Sequence, residues 1–166
     1  MKTQFYDKIK AQLIRHEGKK YFPYRCTAGK LTIGIGRNLD DNWLTEEEQN
    51  FIFLDKKTKE EAIEYMTDIG LNDAEIDLLF FNDIEKVERG LQKSYSWYFD
   101  KPENVKLVML DMAFNLGLKG FRTFYNTIDF IKSGDYYLAS VNMLKSKWAG
   151  QVGKRAEYLS KLIQNG

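Results

Sequence analysis

Apolar residues recur at helical spacing through the first turns of the chain, with Phe5, Ile9 and Leu13 in register and Tyr6 and Ile14 on the same face. Thr3 reads as the N-cap, and Gly18 stands where such a helix stops, which leaves Glu17 on its last turn. The period then changes. Residues 21–24 and 31–35 read as two strands, and the turn residues 27–30 between them pair the strands as a hairpin. Helix end, hairpin turn and second strand therefore present Glu17, Cys26 and Thr32 in that order. Residues 37–42, RNLDDN, are polar and turn-rich and read as a loop.

Three capping boxes follow. Thr45 with Glu48 opens a helix whose apolar side is Phe51, Ile52 and Leu54. Thr58 with Glu61 opens a second, through Ala62, Tyr65 and Met66, closing near Gly70. Asn72 with Glu75 opens the longest, in which Ile76, Leu79, Phe80, Ile84, Val87 and Leu91 keep the 3.6-residue period for about twenty residues. Residues 97–102, WYFDKP, break it. From 105 to 116 nearly every face is apolar, which predicts a buried helix ended by Gly117 and Gly120. Residues 121–131, 136–145 and 156–164 read as further amphipathic helices. The pattern is α+β at the start and all-helical afterwards.

Composition narrows the possibilities. At 43% hydrophobic, the 166 residues can bury a real interior as one domain or two small lobes. The 14% aromatic residues serve core packing first and sugar stacking second. The net charge of +1 hides a segregation of +6 over residues 1–40, −10 over 41–100 and +5 over 101–166. Two basic segments could attract an anionic polymer, or could simply be solvated helix faces. No nucleic-acid-binding motif accompanies them. One cysteine excludes an internal disulfide and a multi-cysteine metal site, and one histidine argues against a His-based metal centre, so neither metal nor cofactor is expected. The first residues lack an apolar signal-peptide core, and no 18-residue apolar run occurs, so the expectation is a soluble chain without a signal peptide.

Glu17, eight residues, Cys26, five residues, Thr32 and then IGIG resembles the catalytic signature of the T-even-type phage lysozymes, in which the middle position is commonly aspartate and less often cysteine. LDMAFNLG at 110–117 is similar to that family's long central helix, and SKWAGQVGKRA at 146–156 to its Ser-x-Trp…Arg-Ala segment. The likeness is ordered over roughly residues 5 to 164. It implies an α+β fold in one catalytic domain, 1–166, with a small N-terminal lobe over about 14–71 and a helical lobe over 72–166. A bridging helix would join the lobes, helix 3–17 would pack on the helical lobe, and a cleft would lie between them. It further implies an endolysin that cleaves the β-1,4 bond between N-acetylmuramic acid and N-acetylglucosamine. Such an enzyme works as a monomer on the peptidoglycan strand, is made in the host cytoplasm, and reaches the periplasm through a membrane lesion made by a separate protein. By resemblance alone, Glu17, Cys26 and Thr32 are catalytic. On the same basis Asn38, Phe114, Phe124, Asn142 and Arg155 touch substrate, and Arg37 and Asp83 form a cross-lobe ion pair.

The chemistry fits those residue types. Glycosidic cleavage needs a proton for the leaving oxygen and a partner for the oxocarbenium-like centre. Glu17 is the natural acid, provided its carboxyl sits in a partly desolvated pocket. A thiol of ordinary pKa, about 8.5, is only slightly ionised at neutral pH, which leaves Cys26 open as base, nucleophile or polarizable bystander. Thr32 would hold the water by its hydroxyl. Because cysteine is the weaker base, lytic transglycosylation stays open beside hydrolysis. A catalytically inactive wall-binding module is the reading from another class.

Overall fold

Helix α1 (Lys2–Glu17) ends where Gly18 adopts φ +80° and its amide donates to the Ile14 carbonyl at 2.8 Å. That left-handed exit is open to glycine without strain. The structure, a computed structural model, describes residues 2–166, with side chains from Thr3 onward. Thr3 lies inside α1 rather than capping it, a shift of the kind common at fraying helix ends.

After α1 the chain forms an antiparallel sheet of β1 (Lys20–Arg25), β2 (Leu31–Gly34) and β3 (Arg37–Asn38), in that order. Lys20 pairs with Gly34 and Tyr24 with Thr32, so four steps along β1 face two along β2 and β1 bulges between them. Pro23 sits in that bulge, where a missing N–H costs no ladder bond. The bulge is held from outside. The Leu71 amide donates to the Tyr21 carbonyl and the Tyr21 hydroxyl to Asp73, both at 2.8 Å. Gly70, at φ +81°, passes so close that a Cβ would stand 2.9 Å from the Phe22 ring and from the Tyr21 carbonyl oxygen. The loop expected at 37–42 begins instead as β3. Asn38 pairs with Thr32, and the Leu39 amide reaches the Leu31 carbonyl at 2.8 Å, bonds that only the neighbouring strand could offer.

All three capping boxes form. Thr45 and Glu48 open α2 (Glu46–Ile52), Thr58 and Glu61 open α3 (Lys59–Asp68), and Asn72 and Glu75 exchange bonds of 2.8 and 2.9 Å at the start of α4 (Asp73–Ser94). The apolar side expected for α2 is corrected. Phe51 is 56% exposed and Leu54 wholly so, because α2 stops at Ile52 and Phe53 turns extended. Phe53 takes the buried place, its ring edge-on to Tyr65 at 5.2 Å.

The chain divides into two compact units, Lys10–Asp83 and a second made of 84–166 with the chain up to Ile9. Both breaks fall inside helices, α1 and α4. Successive turns of one helix can serve different cores, and no local signal marks where that happens.

Within the first unit, one buried guanidinium organises the polar interior. Arg37 reaches Glu48 through both terminal nitrogens, at 3.0 and 2.6 Å, and Asp83 through Nε at 2.9 Å. Asn82 donates to Glu48 at 2.9 Å and Asn42 to Asp83 at 3.1 Å. Burial pushes the Glu48 carboxyl up, yet the bonds from Arg37, Asn82 and the Thr45 amide outweigh it and leave it below its ordinary value. For Asp83 burial wins, and its carboxyl is raised despite Arg37. The fork-shaped donor pair goes to Glu48, and Asp83 is left with the weaker share and a like charge beside it.

In the second unit a 3-10 turn, Tyr98–Asp100, follows α4, and then come α5 (Glu103–Phe121), α6 (Tyr125–Ser133), α7 (Tyr136–Leu144), α8 (Lys147–Val152) and α9 (Lys154–Gln164). Val105, Leu107 to Leu110, Met112 and Ala113 of α5 are buried, as its all-round apolarity predicts. Gly117 leaves the helical conformation at φ +76°. The helix expected over 121–131 starts only at Tyr125, since Phe121 belongs to the end of α5. Helix α8, opened by the Ser146 hydroxyl accepting the Ala149 amide at 3.1 Å, has too few apolar positions to show a period. Among the described residues, no helix is long and apolar enough to cross a membrane.

Candidate active site

In the first unit the sheet sets up a row of side chains. Tyr24 on β1, Thr32 on β2 and Asn38 on β3 are successive cross-strand partners, so they share one face. Past Arg25 the ladder continues for one more pair, the Cys26 amide donating to the Lys30 carbonyl at 3.0 Å, and the turn closes with Gly29 donating to the Cys26 carbonyl at 2.8 Å. By strand alternation Cys26 lies on the same face as Tyr24, and Arg25 on the other, where it reaches Asp40 at 3.3 Å. Glu17, half-buried at the exit of α1, is near enough for its charge to act on Tyr24. Burial raises the Tyr24 phenol first, and the charges of Glu17 and Cys26 raise it further. Glu17, Cys26 and Thr32 are thus all linked to a fourth residue, Tyr24, paired with Thr32 across the strands and raised further by the charges of Glu17 and Cys26. Its signal in the sequence is its place two residues before Cys26 in a strand.

The Cys26 thiol is lowered from its ordinary value. The backbone N–H of Lys30 is the largest cause; burial, next in size, opposes it, and the Ala28 N–H, the Thr32 hydroxyl and the cysteine's own amide tip the balance toward the thiolate. A tight turn whose amides converge on one atom favours an anion there. Thr32 is buried, and its hydroxyl donates to the Lys30 carbonyl at 2.9 Å. A single hydroxyl hydrogen serves one acceptor at a time, so an ionised sulfur competes with that carbonyl for it. A prediction follows. Alkylation of Cys26 by iodoacetamide, read by intact mass on a chain with one cysteine, should titrate with a midpoint below the usual thiol value of about 8.5. Thr32→Val should move that midpoint up. A midpoint at or above the ordinary value would show that the turn does not stabilise the thiolate.

Asn38 shares the face, but its amide is engaged in its own turn. Its Nδ2 donates to Asp41 at 2.9 Å and its Oδ1 accepts the Asp41 amide at 3.0 Å.

The other residues singled out by resemblance lie in the second unit. Phe124 and Asn142 line a cavity of about 520 Å³ together with Tyr125, Lys145, Lys147 and Trp148. Phe124 stands edge-on to Trp148 at 5.9 Å, Trp148 donates from its indole nitrogen to Asn115 at 2.7 Å, and Asn142 accepts from Thr127 at 2.6 Å. These bonds lock the aromatic wall. Phe114 and Arg155 do not line this cavity. Arg155 is buried and donates from Nε to Asp111 at 2.8 Å, so a carboxylate accompanies the guanidinium that the resemblance singled out. Asp111 was visible in the sequence as the lone carboxylate in the apolar run of α5, and a buried charge of that kind calls for a partner.

A family model described as phage lysozyme matches residues 14–162. Two proteins of Dictyostelium discoideum, named probable T4-type lysozyme 1 and probable T4-type lysozyme 2, are each 24% identical to this chain, over 162 and 174 residues. Each alignment covers 95% of this chain and 94% of the relative.

Proposed function

The chain belongs to the phage lysozyme family, and from that membership we propose that it hydrolyses the β-1,4 bond between N-acetylmuramic acid and N-acetylglucosamine in bacterial peptidoglycan. The observation that supports this reading is that Tyr24, the cross-strand partner of Thr32, is raised by burial and by the charges of both Glu17 and Cys26, while the Thr32 hydroxyl joins the Lys30 amide in lowering the Cys26 thiol. Glu17 gives its proton to the leaving glycosidic oxygen as the bond to C1 breaks. A water held by the Thr32 hydroxyl attacks C1, and the Cys26 thiolate takes the water's proton. One proton is given and one taken, so exchange with solvent restores the starting state. The amides of the 26–30 turn favour the thiolate that this role requires. In the second unit, the cavity beside Phe124 and Asn142 offers an aromatic wall, an amide and two lysines to a bound polymer. The biological role we attach is lysis of a bacterial host at the end of a phage cycle, on peptidoglycan reached through a membrane lesion.

Lytic transglycosylation is the second reading, favoured by the modest basicity of a thiolate. There Glu17 acts as acid and then as base, and a hydroxyl of the muramic acid closes an anhydro ring. Mass spectrometry of digested peptidoglycan separates the two. Hydrolysis leaves each new end heavier by one water than an anhydro end. Fragments with reducing ends are expected. Anhydro ends would transfer the assignment to the transglycosylase, and no released fragments at all would leave a wall-binding module.

A further inference from the structure

A second cavity, of about 350 Å³ and sharing no lining residue with the first, lies in the unit containing residues 84–166. Gln4 and Phe5 on the first turns of α1, Glu88 of α4, Phe99 of the 3-10 turn, and Glu103 and Lys106 at the start of α5 form its walls. Gln4 and Phe5 precede residue 14, where the family match begins.

The carboxylates of this cavity are already satisfied. Glu88 is buried and accepts the hydroxyls of Tyr6 at 3.1 Å and Tyr98 at 2.8 Å, one on each oxygen. Glu103 is paired with Lys8, and the Lys106 ammonium stands 5.4 Å from the centre of the Phe5 ring. Each carboxylate thus already has its partner, two hydroxyls for Glu88 and the Lys8 ammonium for Glu103. An entering cation would have to displace one of these partners, and an entering anion would meet two carboxylates against the one lining ammonium of Lys106, so electrostatics favour a neutral ligand that adds hydrogen bonds without adding charge. Phe99 supplies the remaining feature. It is 61% exposed, and its ring is steadied edge-on at 5.8 Å by the fully buried Tyr98. A pyranose meets these conditions together. It has a C–H face to lie on an aromatic ring and hydroxyls for carboxylate, amide and ammonium groups at the edges.

We propose that this cavity is an accessory glycan site that takes a neutral β-1,4-linked N-acetylhexosamine chain. The choice of sugar rests on the proposed function, whereas the class of ligand follows from the cavity. Occupancy would hold the protein on an insoluble polymer between cleavage events.

The test is a proton–nitrogen NMR titration of the full chain with the β-1,4-linked trimer of N-acetylglucosamine. The amides of Phe99, Asp100 and Lys106 should shift saturably. Phe99→Ala should weaken that binding about tenfold, the effect of losing one aromatic stack, and Phe99→Tyr should preserve it. Because Phe99 is exposed, its removal leaves the core intact. A trimer that produces no saturable shift at these amides, or a titration that Phe99→Ala leaves unchanged, overturns the site. The same titration on Glu17→Gln should match wild type even though clearing is lost, so failure of this site and failure of the catalytic assignment are read separately.

Discussion

Glu17→Gln should lower the clearing of permeabilised Gram-negative cells by about a thousandfold while leaving the fold unchanged. Positioned acid catalysis contributes on the order of 10²–10⁴ to a rate. Glutamine keeps the shape and hydrogen-bonding reach of glutamate but has no proton to release to the leaving oxygen. The helix exit is preserved for a concrete reason. Glu17 is half-buried at the very end of α1, and the exit of that helix is made by Gly18 and the Ile14 carbonyl, neither of which the substitution touches. Turbidity measures the activity, and circular dichroism with thermal melting measures the fold. Clearing retained at near wild-type rate, in a folded variant, would remove Glu17 from the chemistry.

Arg37→Met should cost about 3–5 kcal/mol, the usual range for breaking a buried ion pair from one side. In a chain of this size that is a fall in melting temperature of roughly 6–20 °C. Methionine fills comparable volume but leaves Glu48, which is fully buried, and Asp83 as facing carboxylates with no cation between them. The pH dependence should then change in a definite direction. In the wild type the folded Glu48 carboxyl lies below its unfolded value. It therefore supports the fold above the ordinary carboxylate range of about 4 and gives that support up as pH falls through its depressed value. Asp83 is raised and acts in the opposite sense, since protonating it relieves a cost. Without Arg37 burial raises both, so the variant should gain stability relative to wild type as pH drops from 7 toward 5. Thermal melts at the two values check this. A stability gap that stays constant or widens on acidification would mean that the carboxylates are not held by the guanidinium.

The two predictions rest on features of unequal visibility. The capping boxes at Thr45, Thr58 and Asn72 could be read directly, because each is a hydrogen-bond exchange between residues three apart and needs no distant partner. The order helix end, turn, strand that lines up Glu17, Cys26 and Thr32 could also be read, since hairpin turns and helix stops announce themselves locally. Arg37 was legible only through family likeness, as one half of a pair with Asp83. Its stronger partner, Glu48, was read merely as the cap of α2. The same carboxylate does both, accepting the Thr45 amide at 2.8 Å and the Arg37 fork. A local role that is already satisfied gives no hint of a second, distant one.

Phe51, Leu54 and Phe53 show the same limit on the apolar side. A helical period projected past Ile52 assigns the wrong faces, because the chain leaves the helix there and the next aromatic residue enters the core by a different path. Asn38 became a strand residue only because β2 was beside it to accept its pairing.

From residue order alone came the alternation of a small mixed region with a long helical one, the helix starts, and the spacing of an acid, a thiol and a hydroxyl. All of these are set within a few residues along the chain. Tertiary structure alone decided which carboxylates share the Arg37 guanidinium, that the charges of Glu17 and Cys26 both act on Tyr24, that Asp111 accompanies Arg155, and where two cavities open. Those outcomes depend on which distant groups arrive to satisfy a buried charge or fill a space, and the energy of a buried polar contact is settled by the partner that meets it.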